Sequence, residues 1–133
     1  MMMEEVLQFL TENPTFYLAT VEGNIPKVRP FGFVMNYEGK LCFCTNNRKN
    51  VYRQMQANPN VEICTTNKKN EWLRLRGKAV FCTSKESKEA ALKAAPYLSG
   101  MYQADDDLFE IFAVEEAEAT FSNMKGESRT VRF

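Results

Sequence analysis

Residues 42–53 read "CFCTNNRKNVYR". An apolar run ends at Thr45, two cations follow at Arg48 and Lys49, and a helix-like segment begins directly after them. A helix N-terminus presents unpaired backbone N–H groups and about half a positive charge. Arg48 can grip an anion in a fork and Lys49 adds a compact point charge, so the corner has the makings of a small phosphate site. The alternative is a solvated basic turn in which Asn47 or Asn50 serves as an ordinary N-cap.

A second segment bears on that choice. "VRPFGF" (28–33) puts Pro30 and Gly32 inside an otherwise good strand. Proline cannot donate to a ladder, and glycine often marks a bulge or a close backbone approach. The segment is either a bulged edge strand or a stretch of exposed backbone on which a flat ring lies, with the phosphate corner next to it.

Elsewhere the chemistry is sparse. The chain has no histidine, which removes the commonest general base, haem ligand and zinc nitrogen ligand together. Cys42, Cys44, Cys64 and Cys82 form no C-x-x-C pair and sit in apolar, strand-like runs, so buried reduced thiols are expected. Asp105, Asp106 and Asp107 lack the spaced oxygens and glycine turn of a divalent-cation loop and read as a solvated turn or a helix start. Trp72, Arg74 and Arg76 make a basic-aromatic strand face of the kind found on nucleic-acid barrels. Lys plus Arg equals Asp plus Glu at 17 each, so no global field supports that reading and no nucleic-acid partner is expected.

The elements that must hold these residues follow from periodicity. Val6, Leu7, Phe9 and Leu10 fall at helical spacing, with Asn13-Pro14 as the stop. Residues 15–21, 26–36 and 41–45 read as strands of an antiparallel meander turned at Glu22-Gly23-Asn24 and Tyr37-Glu38-Gly39-Lys40. A two-turn helix over 50–58 pairs Val51 with Met55 and stops at Pro59. Strands at 60–66 and 71–83 alternate, the second turning Leu73 and Leu75 inward. Thr83-Ser84-Lys85-Glu86 resembles a capping box opening a helix over 85–95, and 109–121 and 129–133 are the last strands. Met1 to Met3 read as a disordered start, and Met35, Met55, Met101 and Met124 as core or interface filler.

With 133 residues, 44% of them hydrophobic and 12% aromatic, the chain can bury a core as a single domain over 1–133. The start "MMMEEVLQFL" has no basic n-region, and no apolar run nears the roughly 20 residues of a membrane span. A cytoplasmic location without membrane contact is expected. About six to seven short strands with a few short helices point to a small, closed or partly closed antiparallel barrel.

The order "VRPFGF…EGKLCFCTNNRKNVYRQMQANPNVEI…EWLRLRGKAVF" resembles the FMN-binding split-barrel family of pyridoxamine 5′-phosphate oxidase-like proteins. The likeness is greatest to its short nitroimidazole-resistance-like and general-stress-like members and covers about residues 5–83, and more loosely the rest. It implies a mostly β, Greek-key split β-barrel with a few short α-helices, acting as a homodimer with FMN at the interface. By the same resemblance, Arg29, Pro30, Phe31, Gly32, Phe33 and Val34 flank the flavin and its phosphate. Cys44 and Thr45 lie beneath the flavin, and Arg48 and Lys49 grip the phosphate. Trp72, where the oxidase carries glutamine, approaches the isoalloxazine or ribityl chain across the dimer, or else packs as a lone aromatic on the barrel face.

The implied function is flavin-dependent oxidoreduction of a small molecule. The other reading is a non-enzymatic flavin-binding electron carrier, sensor or storage protein. No residue presents itself as a catalytic acid or base. The segment after Gly77-Lys78-Ala79 lacks the tyrosine, arginine and serine that the oxidase uses for its substrate phosphate, and its arginine–histidine substrate segment is missing. Pyridoxamine phosphate is therefore not the expected substrate. Nor is haem handling through histidine expected.

Overall fold

Residues 2–133 are described in a computed structural model. Helix α1 (Met2–Glu12) is followed by β1 (Phe16–Glu22), β2 (Ile25–Phe31), β3 (Met35–Tyr37), β4 (Lys40–Asn46), α2 (Asn50–Ala57), β5 (Asn60–Thr66) and β6 (Trp72–Phe81). Then come α3 (Lys85–Ala94), a 3-10 helix (Pro96–Gly100), β7 (Phe109–Ser122) and β8 (Ser128–Arg132). All pairings are antiparallel, along the path β2-β1-β5-β6-β7-β4-β3 with β8 added to β7. The fold is mostly β, and its hydrogen-bonded path stays open between β2 and β3. It is a split barrel.

The sheet has eight strands, more than expected, because the strand read over 26–36 is two. β2 pairs with β1 at one end of the path, and β3 pairs with β4 at the other. Residues 32–34 carry the chain across the gap, so the three-strand meander does not form. Pro26 and Pro30 are tolerated because β2 has a ladder on one side only. A Cβ on Gly32 would sit 3.3 Å from the Pro14 carbonyl oxygen, so the close approach at this glycine is to the chain's own backbone.

Alternation fills the interior. Phe16, Leu18, Leu41, Phe43, Val61, Ile63, Leu73 and Leu75 point into one core, which α1 caps with Met3, Val6 and Leu10. Phe112 is its hub: it stacks on Phe43 at 5.5 Å and meets Phe81 at 5.7 Å and Phe31 at 6.2 Å. A second cluster under α3 gathers Phe33, Met35, Cys42, Leu98, Tyr102, Phe109 and Ile111.

Several expectations need correction. Met2 and Met3 belong to α1 and Met3 is buried, whereas Met1 lies outside the described residues. Met35 and Met55 are core; Met101 and Met124 are exposed, which removes only the core half of their reading. All four cysteines are free thiols, yet only Cys42 is buried; Cys64 alternates to the outer face of β5 and is exposed. The capping box sits one residue later than read, with Ser84 as N-cap and Ser87 as its reciprocal partner. Asp106 is no free turn acid: its carboxylate accepts the backbone N–H groups of Gln103, Leu108 and Phe109. Burial opposes its ionisation, but those donors and Lys88 leave its carboxyl below the usual value.

Two hairpins close on the same five-residue device, "NKKNE" (67–71) and "NMKGE" (123–127). In each, the asparagine Oδ1 accepts two loop N–H groups and its amide donates to the glutamate carboxylate. Asn70 and Gly126 supply the positive φ that the turn needs. Both loops lie at the barrel end where Trp72 faces Ser122.

Gly77 marks the bulge at which β6 shifts register on β7. A Cβ there would lie 2.7 Å from both the Glu115 carbonyl oxygen and Val114 Cγ1. The oxygen is backbone and cannot step aside. Gly77→Ala should lose about 1–3 kcal/mol of stability, read as a lower urea midpoint with an unchanged m-value. An unaltered midpoint would show that the bulge yields.

Candidate functional site

The corner after β4 is built from its strand outward. Leu41, Phe43 and Thr45 face the inner core, while Cys42 and Cys44 face the cluster under α3. Thr45 is 3% exposed, and among the described residues its Oγ1 is the one buried side-chain polar atom with no hydrogen-bond partner. Such an atom costs about 1–3 kcal/mol unless something supplies the missing partner. Cys44 is half-buried, and burial pushes its thiol up to about 12, with Lys49 pulling the other way.

Neither Asn47 nor Asn50 caps α2. Asn46 Oδ1 accepts the Arg48 N–H at 3.0 Å, and its amide donates to the Tyr102 hydroxyl at 3.0 Å. The Asn47 amide donates to the Asp107 carbonyl at 2.7 Å and to Glu110 at 2.9 Å. Asn50 accepts from Arg53. Lys49 therefore occupies the N-cap position in an extended conformation, with no side-chain cap bond. Arg48 and Lys49 are exposed, and among the described residues neither forms an ion pair. The corner is an uncapped helix start flanked by two unpaired cations, which is the chemistry of an anion site.

Arg29 lies opposite Leu18 and turns under α2. Its guanidinium donates to the Leu18 carbonyl at 3.1 Å, Thr20 Oγ1 at 2.8 Å and Gln54 Oε1 at 2.7 Å. The Thr20 hydroxyl also donates to Gln54, whose amide reaches Glu22 at 3.3 Å. Burial lowers the Arg29 pKa. Arg29 thus braces the helix whose first turn carries Arg48 and Lys49.

The other expected residues are divided. Pro30 is exposed opposite Tyr17, Phe31 and Val34 pack on the inner core, and Phe33 is buried in the second cluster. From 29–34, only backbone and Pro30 are turned outward. Trp72 is half-buried at the start of β6 and lines a groove of about 430 Å³ with Glu5, Phe9, Phe121 and Arg129. No residue of 29–34 or 44–49 lines that groove. Within one protomer, Trp72 and the cationic corner are separate.

Sequence reading missed the ties from Asn46 and Asn47 to residues 102–110 and the Thr20–Gln54 pair beneath Arg29. Two consecutive asparagines between a strand and a basic pair were a usable signal for the first. Nothing local announced the second.

The sequence profile of the pyridoxamine 5′-phosphate oxidase family matches residues 2–123. A NimC/NimA family protein from Clostridium acetobutylicum is 46% identical over 98% of this chain and 92% of its own, with a TM-score of 0.95. A pyridoxamine 5′-phosphate oxidase-related, FMN-binding protein from Nostoc punctiforme shares the fold at 18% identity, 99% and 94% coverage and a TM-score of 0.60. A haem-binding protein from Mycobacterium smegmatis shares it at 16% identity, 90% and 53% coverage and a TM-score of 0.69. No functionally curated protein matches the chain. With the profile spanning nearly the whole split barrel, the chain belongs to the pyridoxamine 5′-phosphate oxidase family.

Proposed function

We propose that the chain is a flavoprotein that binds FMN and uses it for oxidoreduction of a small molecule. One observation carries the reading: the uncapped start of α2 with unpaired Arg48 and Lys49, beside the unpartnered Thr45 Oγ1. Arg48, Lys49 and the free N–H groups of α2 would hold the phosphate. Thr45, Cys44 and the outward backbone of residues 29–34 would border the ring system. Bound FMN would supply hydride and electron transfer, and the protein position and electrostatics. No catalytic acid or base is assigned. Pyridoxamine phosphate is not proposed as substrate. The FMN-binding relative supports the cofactor assignment.

A homodimer completes this reading. The outer face of the β1–β2 pair is a row of apolar side chains, with Tyr17 49% and Val28 67% exposed beside Pro26 and Pro30. Exposed apolar ground of this kind marks an interaction surface. A two-fold contact there could bring Trp72 of one protomer to the corner of the other.

Purified protein should take up FMN at near one per chain with micromolar affinity or better, roughly −8 kcal/mol, and riboflavin far more weakly. Light scattering should report a dimer. Equal affinity for riboflavin and FMN would remove the phosphate corner from the account, and a flavin-loaded monomer would remove the interface. NAD(P)H oxidation assays with quinones and nitro compounds separate an enzyme from a carrier: turnover supports the first, and its absence in the flavin-loaded protein supports the second.

A further inference from the structure

Of the consecutive acids Asp105, Asp106 and Asp107, Asp106 is the one whose carboxylate organises the backbone around it. Its Oδ2 accepts the Gln103 N–H at 2.9 Å, and its Oδ1 accepts the Leu108 and Phe109 N–H groups at 3.0 and 2.9 Å. Lys88 of α3, its side chain 10% exposed, donates to the Asp106 carbonyl at 2.6 Å and lies 3.8 Å from Oδ1. The bend over residues 103–109 is wrapped around one carboxylate and fastened to α3 by one buried lysine.

The same bend carries groups that hold the cationic corner. The Asp107 carbonyl accepts the Asn47 amide at 2.7 Å, and the Leu108 carbonyl accepts the Asn47 backbone N–H at 3.0 Å. Beside it, the Tyr102 hydroxyl accepts the Asn46 amide at 3.0 Å. Asn46 Oδ1 in turn accepts the Arg48 N–H at 3.0 Å, and the Asn46 carbonyl accepts the Lys49 N–H at 3.3 Å. An unbroken run of hydrogen bonds and peptide links therefore leads from the Asp106 carboxylate to the backbone of both cations. Neither cation has an ion pair among the described residues, so their placement falls to this path.

We propose that Asp106 is a positioning residue of the phosphate corner: it fixes the bend at 103–109 and, through Asn46 and Asn47, the first turn of α2 in the arrangement that receives an anion. A site already in place spends none of its binding free energy on ordering itself. The sign of the effect separates this role from simple charge. Removing a negative charge from the neighbourhood of an anion site strengthens anion binding by relieving repulsion, whereas removing the Asp106 carboxylate should weaken it. The effect on the cofactor rests on the FMN reading above, but the hold of Asp106 on the corner does not.

Amide hydrogen exchange in the flavin-free protein reads that hold. In Asp106→Ala, the Asn47 and Arg48 N–H groups should exchange about tenfold faster than in wild type. Fluorescence titration reads the consequence: FMN affinity in Asp106→Ala should fall about tenfold, with riboflavin within about twofold of wild type. Asp106→Asn keeps Oδ1 for the Leu108 and Phe109 N–H groups and should recover most of the loss. Asn47→Ala cuts the same path and should cost about as much, and the two changes together should cost little more than either alone. Asp105 is exposed, and Asp105→Ala should leave FMN affinity unchanged or slightly tighter. Circular dichroism checks that each variant folds. Wild-type or tighter FMN binding in Asp106→Ala, an equal loss of riboflavin, or losses that add fully with Asn47→Ala overturns the proposal. If Asp106→Ala does not fold, Asn47→Ala decides: a loss confined to FMN supports the path, and wild-type FMN affinity overturns it. Absence of FMN binding by the wild-type protein removes the flavin reading, whereas unchanged exchange at Asn47 and Arg48 in Asp106→Ala removes the positioning role.

Discussion

Lys49→Ala should weaken FMN binding by about ten- to a hundredfold, the loss of one charge-assisted hydrogen bond worth roughly 1.5–3 kcal/mol. The substitution is clean because Lys49 makes no side-chain cap to α2, so the helix loses a charge but no hydrogen bond. Thermal stability without flavin should stay within about 0.5 kcal/mol of wild type. Arg48→Ala makes the companion test: its backbone is engaged by Asn46 and Arg53, but its side chain is exposed. Fluorescence titration of FMN and riboflavin into both variants distinguishes the possible outcomes. A loss confined to FMN identifies a grip on phosphate. A parallel loss of riboflavin binding would mean that the cations support the fold, and unchanged FMN affinity in both variants would leave only a solvated turn.

Phe112→Ala should cost about 3–5 kcal/mol, a large share of the roughly 5–15 kcal/mol that holds a domain together. The ring is fully buried and touches Phe31, Phe43 and Phe81, which come from β2, β4 and β6. Phe43 passes the contact on to Phe16 of β1, and Phe81 to Tyr52 of α2. No single neighbour can collapse into the space without breaking another pair. A urea midpoint lowered by about a fifth or more is the expected readout. A loss below about 1 kcal/mol, typical of a site that relaxes fully, would contradict the hub.

The sequence disclosed the fold where one face of a strand is wet and the other dry. Residues 60–66 and 72–76 alternate because Val61, Ile63, Leu73 and Leu75 are buried while Cys64, Arg74 and Arg76 are not. β7 shows no such rhythm over Phe109–Val114, since that half is covered by the inner core on one side and the α3 cluster on the other. Pro30 and Gly32 signalled a break in strand 26–36. From sequence, however, a bulge in one edge strand and a strand that changes partners look alike. At the site, the cationic corner was readable because its charge and its helix start are neighbours in the chain. The Arg29–Gln54 brace and the Asn46–Tyr102 tie were not, because their partners lie 25 and 56 residues apart.

β7 has a consequence for the order of events as the protein is made. β4 and β6 never pair with each other; beyond their hairpin partners β3 and β5, each finds its second neighbour in β7, which also receives β8. At roughly 5–20 residues per second, the β2-β1-β5-β6 strands and the β3–β4 hairpin emerge seconds before the strand that joins the two. During that interval Phe43 and Phe81 have no Phe112 to cover them, so this is when the nascent chain most needs protection from aggregation. The Arg48–Lys49 corner waits as well, since Tyr102, Asp107, Leu108 and Glu110 arrive with or just before β7. A ligand that requires the finished corner is then captured only after translation has passed β7, and its supply during synthesis should not affect yield.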